Sequence, residues 1–221
     1  MTDSQRAFEL LRANDADGLR RLLEQDSAAS DARDTTGVSL LMHSLYRGQR
    51  DVAELIASKK NALDIFEAAA LGRLDRLKQC LDEASSRDAS AINSRSKDGF
   101  SALHFACFFG QPAAARLLLE SGASADAVAA NPTQVMPLHS AASVRNLEAA
   151  RLLLERGAPV NARQQNGWVP IHAAAQNGDR AMVELLLQHH ADPKLANDDG
   201  KTPAMVAREK GHAEVAALLE K

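Results

Sequence analysis

The sequence predicts an all-α solenoid, a stack of helix–turn–helix units, and three observations support this fold class. Residues 99–127 align with residues 167–195 without a gap, and residues 136–162 and 200–220 repeat the same pattern. A turn residue, usually glycine, recurs along the chain at spacings of 34, 24, 38, 35, 33 and 33 residues. Apolar residues within a unit fall on two helical stripes. A period of this length is typical of repeat architectures.

The two helices of a unit follow from residue spacing. Leu138 and Ala142 share one helical stripe, and Leu147, Ala150 and Leu154 share a second. Because one unit cannot bury both stripes alone, neighbouring units must stack on each other. The turn between the two helices falls at Asn14, Gly48, Gly72, Gly110, Arg145, Gly178 and Gly211.

The end of each second helix calls for a residue that adopts positive φ. Gly122 and Gly157 stand at this point, and glycine reaches the left-handed conformation without strain. His190 replaces glycine in the next unit. Histidine is among the residues enriched at positive φ, so we expect the turn to persist there.

These segments, from GFSALHFACFFG to GKTPAMVAREKG, resemble the ankyrin repeat, whose family pattern is DxxGxTPLHxAAxxGxxxxVxxLLxxGAxxN. The resemblance implies about seven stacked helix pairs, with a short β-hairpin finger between successive pairs. It covers essentially the whole chain, so we expect a single domain over residues 1–221. The expected units are residues 4–33, 34–60, 61–92, 93–126, 127–161, 162–194 and 195–221.

Three successive junctions depart from the family period. The segment near residues 58–63 is too short for a finger, and we expect a direct helix-to-helix join with Asn61 or Asp64 as the cap. The segment near residues 82–97 is about five residues longer than the family period, and its Ser, Asp and Ala content predicts a polar loop. The third junction, near Pro132, carries two extra residues. Neutral drift in surface loops is the alternative explanation.

Composition and charge exclude several functional classes. The 26 basic and 29 acidic residues give a net charge of −3, so general nucleic-acid binding is not expected. No segment reaches the length of a membrane span, and the first residues lack the pattern of a signal peptide. Cys80 and Cys107 lie in apolar patterns typical of buried thiols. We expect a cytoplasmic protein.

Motifs that could carry catalysis or bind a metal have structural explanations. His104, His139 and His172 occupy the TPLH position, where the resemblance implies hydrogen bonds between neighbouring fingers. Adjacent helix pairs are too far apart for one zinc ion to reach all three rings. The phosphate-loop-like segment before Thr202 has Leu195 where the first glycine is required. Acidic residues are not paired inside apolar segments, so we expect no enzyme, metal or cofactor.

The resemblance also implies where a partner would bind. Ankyrin proteins contact partners through finger tips and the exposed end of each first helix, which line the concave face. The residues that match these positions here are Tyr46, Arg47, Leu71, Lys97, Asp98, Phe100, Phe108, Phe109, Val144, Gln165, Trp168, Gln176 and Asn177.

Aromatic residues are concentrated at these positions. The chain has eight Phe, Trp and Tyr residues, and Tyr46, Phe100, Phe108, Phe109 and Trp168 all match predicted exposed positions. Exposed aromatic groups mark interaction sites, which predicts a binding surface. The alternative is that the irregular junctions fold over Phe108 and Phe109 and make them core.

The sequence therefore predicts a module that binds another protein, as an adaptor, scaffold or inhibitor. The alternative is a structural protein that assembles with its own copies through the same aromatic residues. We expect a monomer with weak self-association at most. The sequence does not identify the partner, because one binding fold serves many unrelated functions.

Overall fold

The computed structural model describes residues 2–87 and 89–220. Within them the chain is all-helical, with 14 α-helices and no β-strand. An isolated antiparallel bridge pairs Arg33 with Ser39. The helices are α1 Asp3–Arg12, α2 Ala16–Gln25, α3 Leu40–Tyr46, α4 Arg50–Lys59, α5 Ile65–Leu71, α6 Leu74–Arg87, α7 Ala102–Phe108, α8 Pro112–Glu120, α9 Pro137–Ser143, α10 Leu147–Glu155, α11 Pro170–Asn177, α12 Arg180–Gln188, α13 Pro203–Glu209 and α14 Ala213–Leu219.

The chain divides into two compact units. Unit 1 comprises Met1–Glu67 and Ser96–Asp98, and unit 2 comprises Ala68–Arg95 and Gly99–Lys221. Helix α5 begins in unit 1 and ends in unit 2.

Unit 1 contains two helix pairs. Helix α1 packs on α2, and α3 packs on α4. A tight turn precedes α3, where the Asp34 N–H donates to the Val38 carbonyl at 2.9 Å. Gly37 lies in this turn at φ 91°, and a Cβ placed on it would come within 2.9 Å of Lys97 Cγ. The segment around Lys97 therefore packs directly against the 34–38 turn.

The short join between α4 and α5 contains no finger. Helix α4 ends at Lys59 and α5 begins at Ile65. The Asp64 carboxylate accepts from the backbone N–H groups of Phe66 and Glu67, and the Asp64 N–H donates to Glu67 Oε2 at 3.2 Å. This reciprocal arrangement is a capping box. Of the two predicted caps it is Asp64 that caps α5.

Unit 2 repeats one helix pair along the chain. The pairs α7–α8, α9–α10, α11–α12 and α13–α14 are in contact, and each first helix contacts the next first helix. Alanines at the contacts, including Ala141, Ala142, Ala174 and Ala175, are fully buried. Small side chains there let adjacent helices approach closely, so each pair covers the apolar stripe of its neighbour.

Three turn positions that lack glycine keep the left-handed conformation. Asn14 has φ 58°, Arg145 has φ 60° and His190 has φ 66°. These are the places where the repeat puts glycine, and the predicted turn at His190 is confirmed.

The predicted polar loop near residues 82–97 is wrong in part. Helix α6 runs for 14 residues to Arg87, so the added length extends this helix. A single 3-10 turn follows at Ala89–Asn93. Asp88 lies outside the described residues. Ser, Asp and Ala suggested a loop, but Leu77, Cys80 and Leu81 are buried, and their burial anchors the helix.

Candidate functional site

The predicted binding residues differ in exposure. Of the apolar ones, Tyr46 is 43% exposed, Phe108 42% and Val144 38%. The polar residues Arg47, Lys97, Gln165 and Gln176 are exposed. Half-buried positions are Asp98, Phe100, Phe109, Trp168 and Asn177.

Leu71 is the exception, and its prediction as an exposed contact is wrong. Leu71 is only 4% exposed, and the preceding Ala68, Ala69 and Ala70 are fully buried. The end of α5 is apolar on all sides, and a helix segment of this kind belongs in a core. Leu71 therefore lies in the interior of unit 2.

In unit 1, Tyr46 and Asp98 are joined by a hydrogen bond. The Tyr46 hydroxyl donates to Asp98 Oδ2, and the Ser96 hydroxyl donates to Asp98 Oδ1 at 2.5 Å. Desolvation raises the pKa of Tyr46, and the hydrogen bond and charge of Asp98 raise it further. Arg47 donates to the Arg12 carbonyl at 3.3 Å. The end of α3 thus presents a phenol ring whose hydroxyl group already donates a hydrogen bond to Asp98.

In unit 2, the aromatic patch consists of Phe100, Phe108 and Phe109 and rests on the buried Phe105. The Phe108 and Phe109 rings meet edge to face with centroids 5.1 Å apart. Phe105 lies 6.3 Å from Phe109 and 5.7 Å from Phe100. Edge-to-face rings at this spacing attract each other beyond simple burial. Because Phe105 is 3% exposed, it fixes the partly exposed rings from below.

Loops between the helix pairs of unit 2 form a linked row. Each is closed by a backbone hydrogen bond, from Ala129 to Val135, from Gln164 to Trp168 and from Asn197 to Lys201. One backbone bond then joins neighbouring loops. Ala130 donates to Gly99 at 2.8 Å, Gln165 to Thr133 at 2.9 Å and Asp198 to Asn166 at 3.0 Å.

Buried histidines tie each first helix to the following loop. The Nε2–H groups of His104, His139 and His172 donate to the carbonyls of Val135, Ala162 and Lys201 at 3.0, 2.9 and 3.0 Å. Their Nδ1 atoms accept from the backbone N–H at the start of the same helix. This is the role that the resemblance implies for these rings.

Both ring nitrogens are satisfied only in the neutral form, because Nδ1 faces donors. Burial lowers the pKa of His104 and of His139 to about 4 in each case, against the hydrogen bonds to Val135 and Ala162. The pKa of His172 is lowered by burial as well. These rings are therefore neutral at physiological pH.

A cavity of about 480 Å³ opens between two loops and two helix ends of unit 2, and we call it the polar cavity because seven of its ten lining residues are polar. Four of the predicted binding residues, Gln165, Trp168, Gln176 and Asn177, line it together. Its remaining lining residues are Thr133, Val135, Ser143, Gln164, Asn166 and Ala173. Trp168 stands against His172 with ring centroids 5.3 Å apart. The cavity therefore lies between two successive repeats and is lined by residues of both.

The helix ends beside the cavity are held in place by hydrogen bonds. Asn177 Nδ2 donates to the carbonyls of Ser143 and Ala142 at 2.9 and 3.3 Å. Arg145 in turn donates to the Asn177 carbonyl. These bonds link the end of α9 to the end of α11, with the exposed Val144 between Ser143 and Arg145.

Two features were missed by sequence reasoning. The first is that Thr133 and Gln164 line the cavity, which only the fold shows, because the Gln165 N–H donates to the Thr133 carbonyl of the neighbouring loop. The second feature is a buried carboxylate that pairs with a lysine. Glu67 is 1% exposed, Lys60 Nζ lies 3.4 Å from its Oε1, and the Lys60 side chain is 3% exposed. The sequence did offer a signal for this buried carboxylate, because Glu67 is the charged residue in the otherwise apolar segment IFEAAAL.

Glu67 is an unusual carboxyl group. Burial and then the Asp64 charge raise its pKa, and Lys60 opposes them. Lys60 also pairs with Asp31 at 2.7 Å. Over the described ranges, no three His, Cys, Asp or Glu residues lie close enough together to hold a metal ion. None of the described helices combines the length and apolar character needed to cross a membrane.

Comparison with known families gives a match over most of the chain. A family model described as ankyrin repeats (3 copies) matches residues 65–164 and 138–221, which together span more than half of the chain. No curated protein matches the sequence.

Proposed function

Because the chain belongs to the ankyrin-repeat family, we propose that it binds a partner protein through the aromatic patch and the polar cavity of unit 2. Ankyrin repeats generally mediate protein–protein interactions. The observation that carries the proposal is the exposure of Phe108, at 42%, on a ring cluster that the buried Phe105 fixes. Exposed aromatic anchors supply much of the energy at protein interfaces.

The patch and the cavity play different parts in this proposal. Phe108 and Val144 offer apolar area, which contributes affinity. Gln165, Gln176 and Asn177 offer polar groups around Trp168, which select the partner. The linked loops hold both in place before binding, so little ordering entropy is lost on docking.

We further propose that the family architecture extends through the described chain as about seven helix pairs in one domain, with hairpin fingers as the loops. The capping box of Asp64 and the left-handed turn at Asn14 support a repeat origin for the segment before residue 65. In unit 1, Tyr46, Arg47, Lys97 and Asp98 would form a second group of contacts. A cytoplasmic location and a scaffold, adaptor or inhibitor role belong to the same proposal.

The test is a capture experiment with a matched pair of variants. The immobilised chain captures proteins from cells of its source, mass spectrometry identifies them, and each candidate is purified for titration. Changing Phe108 and Phe109 to Ala should weaken binding by at least tenfold while helical circular dichroism stays nearly unchanged. Replacing the exposed Val128, which lies outside the patch, with Ala is the control.

Two results would contradict the proposal. If the Phe108/Phe109 variant loses helicity, these rings act as core. If sedimentation velocity shows concentration-dependent association of the wild type alone, abolished by the same variant, the rings join copies of this chain and the structural alternative holds.

A further inference from the structure

We infer that the polar cavity binds an extended, uncharged peptide segment of the partner, with an apolar side chain against Trp168. This inference rests on the proposed function and specifies what the partner presents. It follows from three features: the hydrogen-bonding groups of the cavity, the absence of charge in its lining, and the spacing of the repeats.

Amide side chains make up half of the ten residues that line the cavity. Gln164, Gln165, Asn166, Gln176 and Asn177 all line it. Asn177 donates its side-chain amide N–H groups to the carbonyls of Ala142 and Ser143. Within the described residues, the side chains of the other four make no hydrogen bond to the protein. Each of these amides offers both a donor and an acceptor, the complement of a peptide group.

An extended segment satisfies these amides, and a helix does not. A helix uses its own backbone N–H and C=O groups internally, so amides buried against it would lose water without gaining a partner. An extended or polyproline-II chain leaves its backbone groups free to bond outward. The lining therefore favours a partner segment whose backbone is unpaired.

The cavity also selects against charge. No ionisable side chain is among its lining residues, and a charged group placed there would lose hydration without an opposite charge. Trp168 presents a half-buried indole at the wall. An apolar or aromatic side chain of the segment packs best against that ring.

The repeat sets the spacing of the apolar residues. Packed helices lie about 8–10 Å apart, and an extended chain advances about 3.3 Å per residue. One repeat step therefore corresponds to about three residues. A segment with an apolar residue against Trp168 should place others three and six residues away, toward Val144 and Phe108.

The experiment uses linear 12-residue peptides displayed on phage and selected on the intact chain. We expect the selected peptides to carry no net charge and apolar residues three apart. Synthetic copies are titrated by the emission of Trp168, the only tryptophan in the chain. Gln176→Glu keeps the side-chain size but replaces a donor with a charged acceptor, and we expect at least tenfold weaker binding.

Gln188→Glu is the matched control. Gln188 is likewise an exposed glutamine near a helix end, on α12, and it does not line the cavity. Its substitution should change affinity by less than twofold. The inference is overturned if the selected peptides are charged, if they turn helical on binding, if they are insensitive to Gln176→Glu, or if none is enriched.

The captured partner separates this inference from the proposed function. If partner binding is lost with the Phe108/Phe109 variant but is unchanged by Gln176→Glu, partner binding through the aromatic patch stands and the cavity inference fails. If the intact chain captures no protein and selects no peptide, both fail.

Discussion

Three first helices of unit 2, α7, α9 and α11, carry a histidine at their third position, whereas α5 carries a glutamate there. His104 accepts at Nδ1 from the start of its own helix and donates from Nε2 to Val135. Glu67 accepts from Asp64 in the same way, but its second oxygen faces Lys60. A carboxylate cannot donate to a carbonyl as the imidazole does. A buried acceptor in this place requires a cation, and the short join supplies Lys60.

The difference shows two ways of securing a helix start in one repeat protein. The neutral histidine rings of unit 2 need only a loop carbonyl as the acceptor for Nε2–H. No charge is buried in this arrangement. The Lys60–Glu67 pair holds a join that has no finger, but it buries two charges. Breaking such a pair is expensive, because the remaining charge loses its partner.

The largest effect should come from breaking the pair. Lys60→Met leaves Glu67 buried without its cation, and we expect a loss of about 3–5 kcal/mol in the free energy of unfolding at pH 7. Lys60→Met combined with Glu67→Gln should recover most of it, because Gln still serves a capping box. Urea denaturation followed by circular dichroism measures both.

The exposed pair Arg180–Glu184 is the control for this cycle. Its side chains are 64% and 44% exposed. Replacing both with Ala should change stability by less than about 1 kcal/mol, the range for surface pairs. Equal losses at the two sites would show that burial does not distinguish them.

The next effect is acid sensitivity of the histidine-linked loops. Free histidine has a pKa of 6.5, and burial lowers those of His104 and His139 to about 4. The unfolded chain therefore binds more protons between these values, so stability falls as pH is lowered from 6.5 toward 4. Each ring contributes on the order of 3 kcal/mol to this loss.

Carboxylates titrate in the same pH range as these histidines. The measurement is therefore the difference in stability between the wild type and a variant without the histidines. Urea midpoints of the wild type and of a His104→Gln/His139→Gln variant are compared from pH 7 to pH 4. We expect the wild type to lose more stability on acidification than the variant does. Parallel curves would mean that these rings do not set the acid response.

The smallest effect concerns the turn after α12. His190 holds φ 66° where other units have glycine. His190→Gly should raise stability by about 0.5–1 kcal/mol, because the left-handed conformation costs a non-glycine residue that much or more. The His190 carbonyl still accepts from Asn161, so no backbone bond is lost. Gly157→Ala, at φ 78°, should lower stability, and a gain there would contradict the strain argument.

Patterns within one repeat were predictable from the sequence. The left-handed turns at Arg145 and His190 follow from their alignment with glycine. The short join predicted a cap at Asn61 or Asp64, and the roles of His104, His139 and His172 follow from the family pattern.

Features that depend on neighbours distant in sequence were not predictable. Leu71 matches an exposed position but is buried, since exposure depends on what covers a helix end. Glu67 and Lys60 are seven residues apart, and only the fold shows that both side chains turn inward. The cavity was partly predictable, because four of its residues match exposed family positions. Its closure by Thr133 and Gln164 depends on packing between loops.

The single backbone bond between neighbouring loops of unit 2 has a mechanical consequence. Gln165 holds Thr133, and Asp198 holds Asn166, so each loop is fastened to the next by a weak link of the same kind. Tension along such a row acts on every link equally, so the weakest link should open first. Under force, the row of loops should therefore separate stepwise, one link at a time.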